Sequence, residues 1–317
     1  SGAVHGALGF GESLQASFVT VPTQPEELLY GSASASAPVG NAGTYVSALG
    51  AYGALDPGSS KTALDSDIRI AQFVGRIWHP LIRSRQQSLW LSGSFDVRNF
   101  RETQFDSTAI SDRLRVLRAA ATYGLTDRFD GESQLKLEVS QGIDVLGASE
   151  EGVSTLSRSD GRSEFTKVTG NVIRLQKLTE RIGLQLGIGG QWSADPLLSY
   201  EEFSLGGEQF GRAYDYGEVS GEDGIAASGE LRYSDATQWR WLSEYQVYGF
   251  YDIGAVWNET PGGGSSRDSL TSAGAGFRLK LTDHMRATFE AAKPLTRKVQ
   301  TSDGDDWRFF FSTALTY

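Results

Sequence analysis

The stretch LQLGIGGQW, residues 184–192, decides how this chain folds. Leu184, Leu186, Ile188 and Trp192 share one side of an extended backbone, and Gln185, Gly187, Gly189 and Gln191 share the other. Side chains alternate sides along a strand, so a period of two means a β-strand with one apolar and one polar face. The same alternation runs through QLKLEVSQGIDV (134–145), where Leu135, Leu137, Val139, Ile143 and Val145 oppose Gln134, Lys136, Glu138, Ser140 and Asp144. It recurs in SLWLSGSFDVR (88–98), AGAGFRLKL (273–281) and MRATFEA (285–291). It closes the chain, with Trp307, Phe309, Phe311, Leu315 and Tyr317 on one side.

Read outward from these segments, about 14 strands are expected, near 9–20, 28–37, 43–54, 67–79, 86–101, 111–125, 132–146, 164–177, 181–194, 224–234, 244–257, 269–281, 284–293 and 306–317. Many match the length of roughly 9–11 residues with which a tilted strand crosses a bilayer. Short connections (126–128, 179–181, 282–284) are expected on one rim, and long polar ones (55–66, 147–163, 195–223, 258–268, 294–305) on the other. That asymmetry is how outer-membrane barrels are built.

Composition narrows the function classes. The chain has 317 residues, with 38 Gly, 8 Pro and no Cys, so neither disulfides nor thiolate metal sites are available. A net charge of −10 argues against a nucleic-acid partner, which requires a basic face. No run of 18 apolar residues marks a transmembrane helix, but a membrane barrel averages lipid-facing and lumen-facing residues and escapes such a scan. Ser1 reads as the start of a cut or processed chain.

Two architectures fit the pattern: a soluble β-sandwich with its apolar face inward, and a transmembrane antiparallel β-barrel with that face toward lipid. The barrel is favoured by the charged opposite face (Arg98, Arg118, Lys136, Glu138, Arg278, Arg286, Glu290). Trp192, Trp257, Trp307 and Tyr317 near strand ends also favour it, as an interfacial girdle. In lipid, strands must close, because each unpaired backbone group costs several kcal/mol.

One loop stands out. GEQFGRAYDYGEVSGEDG, residues 207–224, is glycine-rich and acidic and carries a single arginine, Arg212. On the strand 244–257, Asp252 falls on the lumen side with Gln246 and Tyr248. A guanidinium takes a carboxylate bidentately. An inward Asp252 and a neighbouring loop with one arginine could therefore meet, provided the loop folds into the pore.

At these residues the sequence resembles the outer-membrane transporters of two-partner secretion, the haemolysin secretion/activation type within the barrel-assembly superfamily. The resemblance rests on Tyr200-Glu201-Glu202-Phe203-Ser204-Leu205-Gly206-Gly207, Gly211-Arg212-Ala213-Tyr214, Ser220-Gly221-Glu222-Asp223-Gly224, Glu230-Leu231-Arg232 and Phe250-Tyr251-Asp252-Ile253-Gly254. Weaker matches are Trp78–Ser84, Phe165-Thr166-Lys167, Leu270–Gly276, Gly9-Phe10-Gly11-Glu12 and the aromatic C-terminus. It implies a sixteen-stranded barrel whose sixth extracellular loop folds inward. The loop is anchored by Arg212 on Asp252, with Gly211, Ala213 and Tyr214 at the tip. Gly206, Gly207, Glu230, Arg232, Phe250 and Gly254 support the anchor, and Phe309, Phe311, Leu315 and Tyr317 form the C-terminal insertion signal. Gly211 stands where the family carries valine, and Ala213 where it carries glycine. The family's plug helix, two polypeptide-transport-associated (POTRA) domains and first strands are not recognisable, so residues 1–317 read as a single barrel domain, cut or naturally short. An even strand number is expected, with both ends at the periplasmic rim.

Catalytic chemistry is not expected. His5, His79 and His284 read as surface or interface residues, and no Ser-His-Asp set is legible. Asp303-Gly304-Asp305-Asp306 lacks the later Glu of a Ca²⁺ loop, and GIGG (187–190) lies inside a strand. No cofactor or metal is expected. The resemblance implies secretion of a large partner exoprotein across the Gram-negative outer membrane without ATP, with lipid and the barrel-assembly machinery as further partners. A barrel-assembly factor of the same superfamily and a passive porin remain as alternatives.

Overall fold

The computed structural model describes every residue except 7, 8, 10, 25, 26, 57–65, 106, 261–263 and 316–317. The strands are β1 (Gly2–His5), β2 (Ser13–Thr20), β3 (Leu28–Val39), β4 (Thr44–Leu55), β5 (Ser66–Arg83), β6 (Gln87–Gln104), β7 (Ser107–Thr126), β8 (Gly131–Gly142), β9 (Thr166–Lys177) and β10 (Ile182–Ser193). They continue as β11 (Phe203–Leu205), β12 (Val219–Gly221), β13 (Asp223–Trp239), β14 (Leu242–Thr260), β15 (Gly264–Thr282), β16 (Met285–Pro294) and β17 (Arg308–Leu315). Fifteen of them form one antiparallel sheet in sequence order; β11 and β12 form a separate two-stranded ribbon inside the loop between β10 and β13.

Each of the 14 strands expected from alternation is present. Only the four-residue β1 and the two three-residue loop strands carried too few residues to show a period. Among the described residues the sheet holds fifteen strands, where an even count was expected; β1 pairs with β2 from Gly2↔Ala16 to His5↔Ser13. The polar stretch 258–268 is not a long loop: β14 and β15 extend through it in register from Trp257↔Arg267 to Thr260↔Gly264, leaving only 261–263 outside the described residues. Of the expected loop 55–66, residues 57–65 also lie outside them.

Burial shows which way the apolar face points. On β10, Ile188 and Trp192 are 52% and 56% exposed, whereas Gln191 is 8% exposed. On β14, Val247, Tyr251 and Ile253 are exposed, and Tyr248, Phe250 and Asp252 on the opposite face are buried. Leucines and aromatics thus cover the outside, as a hydrocarbon solvent requires, and the charges line the bore. A sandwich would show the reverse. The long-loop rim carries Trp192, Trp257 and Trp307, and the short-turn rim carries Trp239 and Trp241 beside the turn between β13 and β14. Outward rings also meet across the last strands, with Phe277 stacked 5.0 Å from Phe289 and Phe289 tilted 4.6 Å from Phe311, centroid to centroid. The protein is a transmembrane antiparallel β-barrel in up-and-down order.

The lumen is not uniformly polar. Leu205, Phe210, Ala213, Tyr214 and Val219 of the loop pack against Tyr248, Phe250, Val256 and Leu270 of the wall in a true hydrophobic core. A second cluster joins Leu114, Val116, Phe165, Leu156, Leu197 and Leu198. Alternation alone cannot reveal this, because lumen-facing apolar residues become core only once a loop covers them.

Candidate functional site

The loop between β10 and β13 runs into the bore, and the β11–β12 ribbon carries its tip, residues 206–218. Gly206 and Gly207 start the tip with φ of 109° and 82°. Gly206 N–H donates to Phe210 O at 2.8 Å and Tyr214 N–H donates to Gly211 O at 2.8 Å, closing it as a compact turn. Gly211 has φ of 105°, and a Cβ there would lie 2.7 Å from Leu270 Cδ1. Both facts exclude a β-branched side chain in this backbone, which accounts for glycine where the family carries valine. Ala213, in the place of the family's glycine, fits with its methyl wholly buried.

Arg212 is the centre of the site. Its Nε and Nη2 donate to Asp252 Oδ2 and Oδ1 at 3.2 and 3.1 Å, a two-pronged contact. The backbone N–H groups of Arg212 and Gly211 donate to Oδ2 at 3.1 and 3.3 Å, and Ser272 Oγ adds a fourth donor to the same oxygen at 3.2 Å. Arg212 Nη1 reaches Glu230 Oε2 at 2.5 Å, and its guanidinium carbon lies 3.6 Å above the Phe250 ring. Glu230 and Asp252 meet one guanidinium because Ser228 pairs with Asp252 and Glu230 with Phe250, so both carboxylates project inward from adjacent strands.

Glu230 holds two further cations: Arg232 Nε at 2.6 Å and Arg278 Nη1 at 2.8 Å. Tyr248 donates to Glu290 at 2.8 Å, and Glu290 stands 3.9 Å from Arg212 Nη1. Three arginines therefore face three carboxylates. Burying charges in this way costs several kcal/mol per ion unless they are paired and hydrogen-bonded, as they are here. Tyr214 donates to Thr271 O at 3.1 Å, and Arg308 of β17 donates to Ala213 O at 3.0 Å and to Asp215 at 2.6 Å, tying the tip to the far wall. Gly254 lies under Leu205, where a Cβ would come within 2.7 Å of Leu205 Cδ1.

Sequence reasoning missed a second anchor near the start of the loop. Glu201, in a 3₁₀ turn over Ser199–Glu201, is buried between Arg118 of β7 at 2.6 Å and Lys167 of β9 at 2.8 Å. Burial pushes the Glu201 carboxyl up, but the fields of Lys167 and Arg118 outweigh it and hold the group below its usual range. Close by, Arg158 of the β8–β9 loop pairs with Glu202 at 2.8 Å and Glu222 at 2.7 Å, joining the two long loops. Glu201 and Lys167 both lie in stretches that carried the resemblance, but nothing local links residues 34 apart. The loop is thus anchored both near its start and at its tip.

Of the expected C-terminal residues, Phe309, Phe311 and Leu315 point outward and are exposed, and Tyr317 lies outside the described residues. Phe10 of the Gly9–Glu12 turn also lies outside them.

A family profile described as haemolysin secretion/activation protein ShlB/FhaC/HecB matches residues 65–279. No curated protein matches the sequence. Among solved structures, CdiB from Escherichia coli superposes with a TM-score of 0.79 at 19% identity, over 99% of this chain and 58% of that one. CdiB from Acinetobacter baumannii gives 0.68 at 14% identity, over 99% and 58%. BamA from Haemophilus ducreyi lacking POTRA domains 1–3 gives 0.66 at 14%, over 98% and 66%. This chain spans well under the full length of each.

Proposed function

Because the chain belongs to the haemolysin secretion/activation protein family ShlB/FhaC/HecB, we propose that it forms the Gram-negative outer-membrane pore through which one large partner exoprotein leaves the cell. The observation that carries this reading is the loop locked in the bore by Arg212 on Asp252 and Glu230. A lumen filled by a chain segment is a closed channel, and a conduit for polypeptide requires that segment to move. Charge-assisted bonds suit a reversible latch, since water and the bore's other ionic groups re-solvate the partners on release. Gly211, Ala213 and Tyr214 shape the tip, and Gly206, Gly207, Glu230, Arg232, Phe250 and Gly254 hold it. Phe309, Phe311, Leu315 and Tyr317 serve recognition by the barrel-assembly machinery. The work is transport, not catalysis; no step uses ATP, and folding of the cargo outside supplies the direction.

The test is Arg212→Ala, in three readouts. The variant is expected to insert as a heat-modifiable barrel, to secrete its exoprotein cargo several-fold less, and to show larger or noisier conductance in planar bilayers. Unchanged secretion and conductance would remove the latch. A fall in the levels of other outer-membrane proteins, with cargo export intact, would favour an assembly factor instead. Large, steady conductance indifferent to Arg212 would favour a porin.

A further inference from the structure

We propose that the outer face of β5–β7, at the long-loop rim, binds the phosphate groups of an anionic glycolipid in the outer leaflet. The inference rests on the membrane-barrel reading and not on the cargo. Arg69 and Arg101 sit directly opposite each other across β5 and β6. Arg113 pairs with Asn99, and Arg115 with Val97, across β6 and β7. The outward parity is set by Phe73 and Ile77 on β5, Leu91 on β6 and Leu117 on β7, all exposed. Arg69, Arg101 and Arg113 therefore expose three guanidiniums in one outward patch on three adjacent strands of a chain whose net charge is −10, with Arg115 buried beside them.

Their neutralisation is incomplete. Asp67 takes Arg69 through two bonds at 3.0 and 3.1 Å. Among the described residues no carboxylate pairs with Arg101, Arg113 or Arg115. Arg115 is buried against neutral acceptors only: Leu146 O, Arg98 O, Leu114 O and the Asn99 side chain. Like charges placed directly across two strands destabilise a sheet unless something anionic lies between them. A cleft of about 240 Å³ runs among Tyr52, Arg69, Asn99, Arg101, Ser111 and Arg113, open to the outside.

Position selects the ligand. Moving along the same outward face toward the membrane centre, the residues become Ala71 and Phe73 on β5, Val97 and Phe95 on β6, and Leu117 and Ala119 on β7. A cationic tier thus stands directly above an apolar wall, at the depth where outward arginine costs little. That is the arrangement of a lipid with charged headgroup and several acyl chains. Guanidinium forks take phosphate oxygens bidentately, and an interfacial basic cluster adds attraction to an anionic leaflet.

The experiment is native mass spectrometry of the full chain in detergent with bis-phosphorylated lipid A, set against the same lipid stripped of phosphate and against inorganic phosphate. The wild-type protein is expected to retain bis-phosphorylated lipid A, and retention is expected to fall roughly tenfold or more for the phosphate-free lipid and for Arg101→Glu/Arg113→Glu. Arg101→Lys/Arg113→Lys is expected to keep most of it. Equal retention of both lipids, equal retention by the Glu variant, or tight binding of inorganic phosphate alone would overturn the assignment. If the Glu variant fails to give a heat-modifiable barrel, Arg101→Gln/Arg113→Gln carries the same comparison. Secretion assays stay independent, because neither residue touches the folded-in loop.

Discussion

Arg212 exchanges the hydration of its guanidinium for Asp252, Glu230 and the Phe250 ring. Its neighbour sets the geometry. With φ of 105°, Gly211 lets both its own N–H and that of Arg212 turn toward Asp252. Replacing it by the family's usual residue, Gly211→Val, is therefore expected to disturb the latch here. A β-branched side chain at positive φ, 2.7 Å from Leu270 Cδ1, costs on the order of 1–3 kcal/mol in strain and displacement. Limited proteolysis from the long-loop rim checks this: residues 206–218 should become cleavable in the variant while the strands stay resistant. A protected loop would mean that the tip backbone adapts.

At the level of the element, the loop is held at two separate points by chemistry of one kind. The tip docks on β13–β15, and its beginning docks on β7 and β9 through Glu201. Because the Glu201 carboxyl lies below its usual range in the folded protein, the stability it contributes is present above the ordinary carboxyl pKa of about 4.3 and is lost as pH falls through the lowered value. Loop protection against protease, or the urea midpoint of loop release, is expected to hold from neutral pH to about 5 and to drop below about 4. Glu201→Gln is expected to flatten that fall; an identical pH profile in the variant would assign it to another carboxylate. Buried pairs of this sort lose about 3–5 kcal/mol when one member is removed, so the variant should also weaken the loop at neutral pH.

For the whole molecule, solvent on the two sides of the wall decides what each position tolerates. Leu137 faces outward and is half exposed, and Lys136 beside it faces the bore, where it pairs with Glu138 at 2.9 Å. Leu137→Arg is expected to lower barrel stability by about 2–4 kcal/mol if the site lies near the bilayer midplane. Lys136→Ala is expected to change it by under about 1 kcal/mol, as for other half-exposed ion pairs. Unfolding from phospholipid vesicles in urea measures both, and equal effects would contradict the outward direction of the apolar face. That face was legible because its signal is local. Ile188, Leu186 and Leu184 state it within one strand, and each further strand repeats it.

Strand identity, direction of the apolar face and barrel class were open to reading from residue order, whereas the pairing of Arg212 with Asp252 was implied by the resemblance of short motifs to a known family. They rest on a period of two and on motifs a few residues long. Four features came only with the fold. The extra strand β1 is too short to show a period, and the Glu201–Arg118–Lys167 anchor joins segments far apart in the chain. The hydrophobic core in the lumen joins residues as distant as Leu205 and Leu270. The outward arginine cluster belongs with these, since Arg69, Arg101 and Arg113 become neighbours only through register. The division has one cause. Alternation reports the solvent on each side of a strand, whereas contact between strands and loops depends on register and closure, which no local stretch encodes.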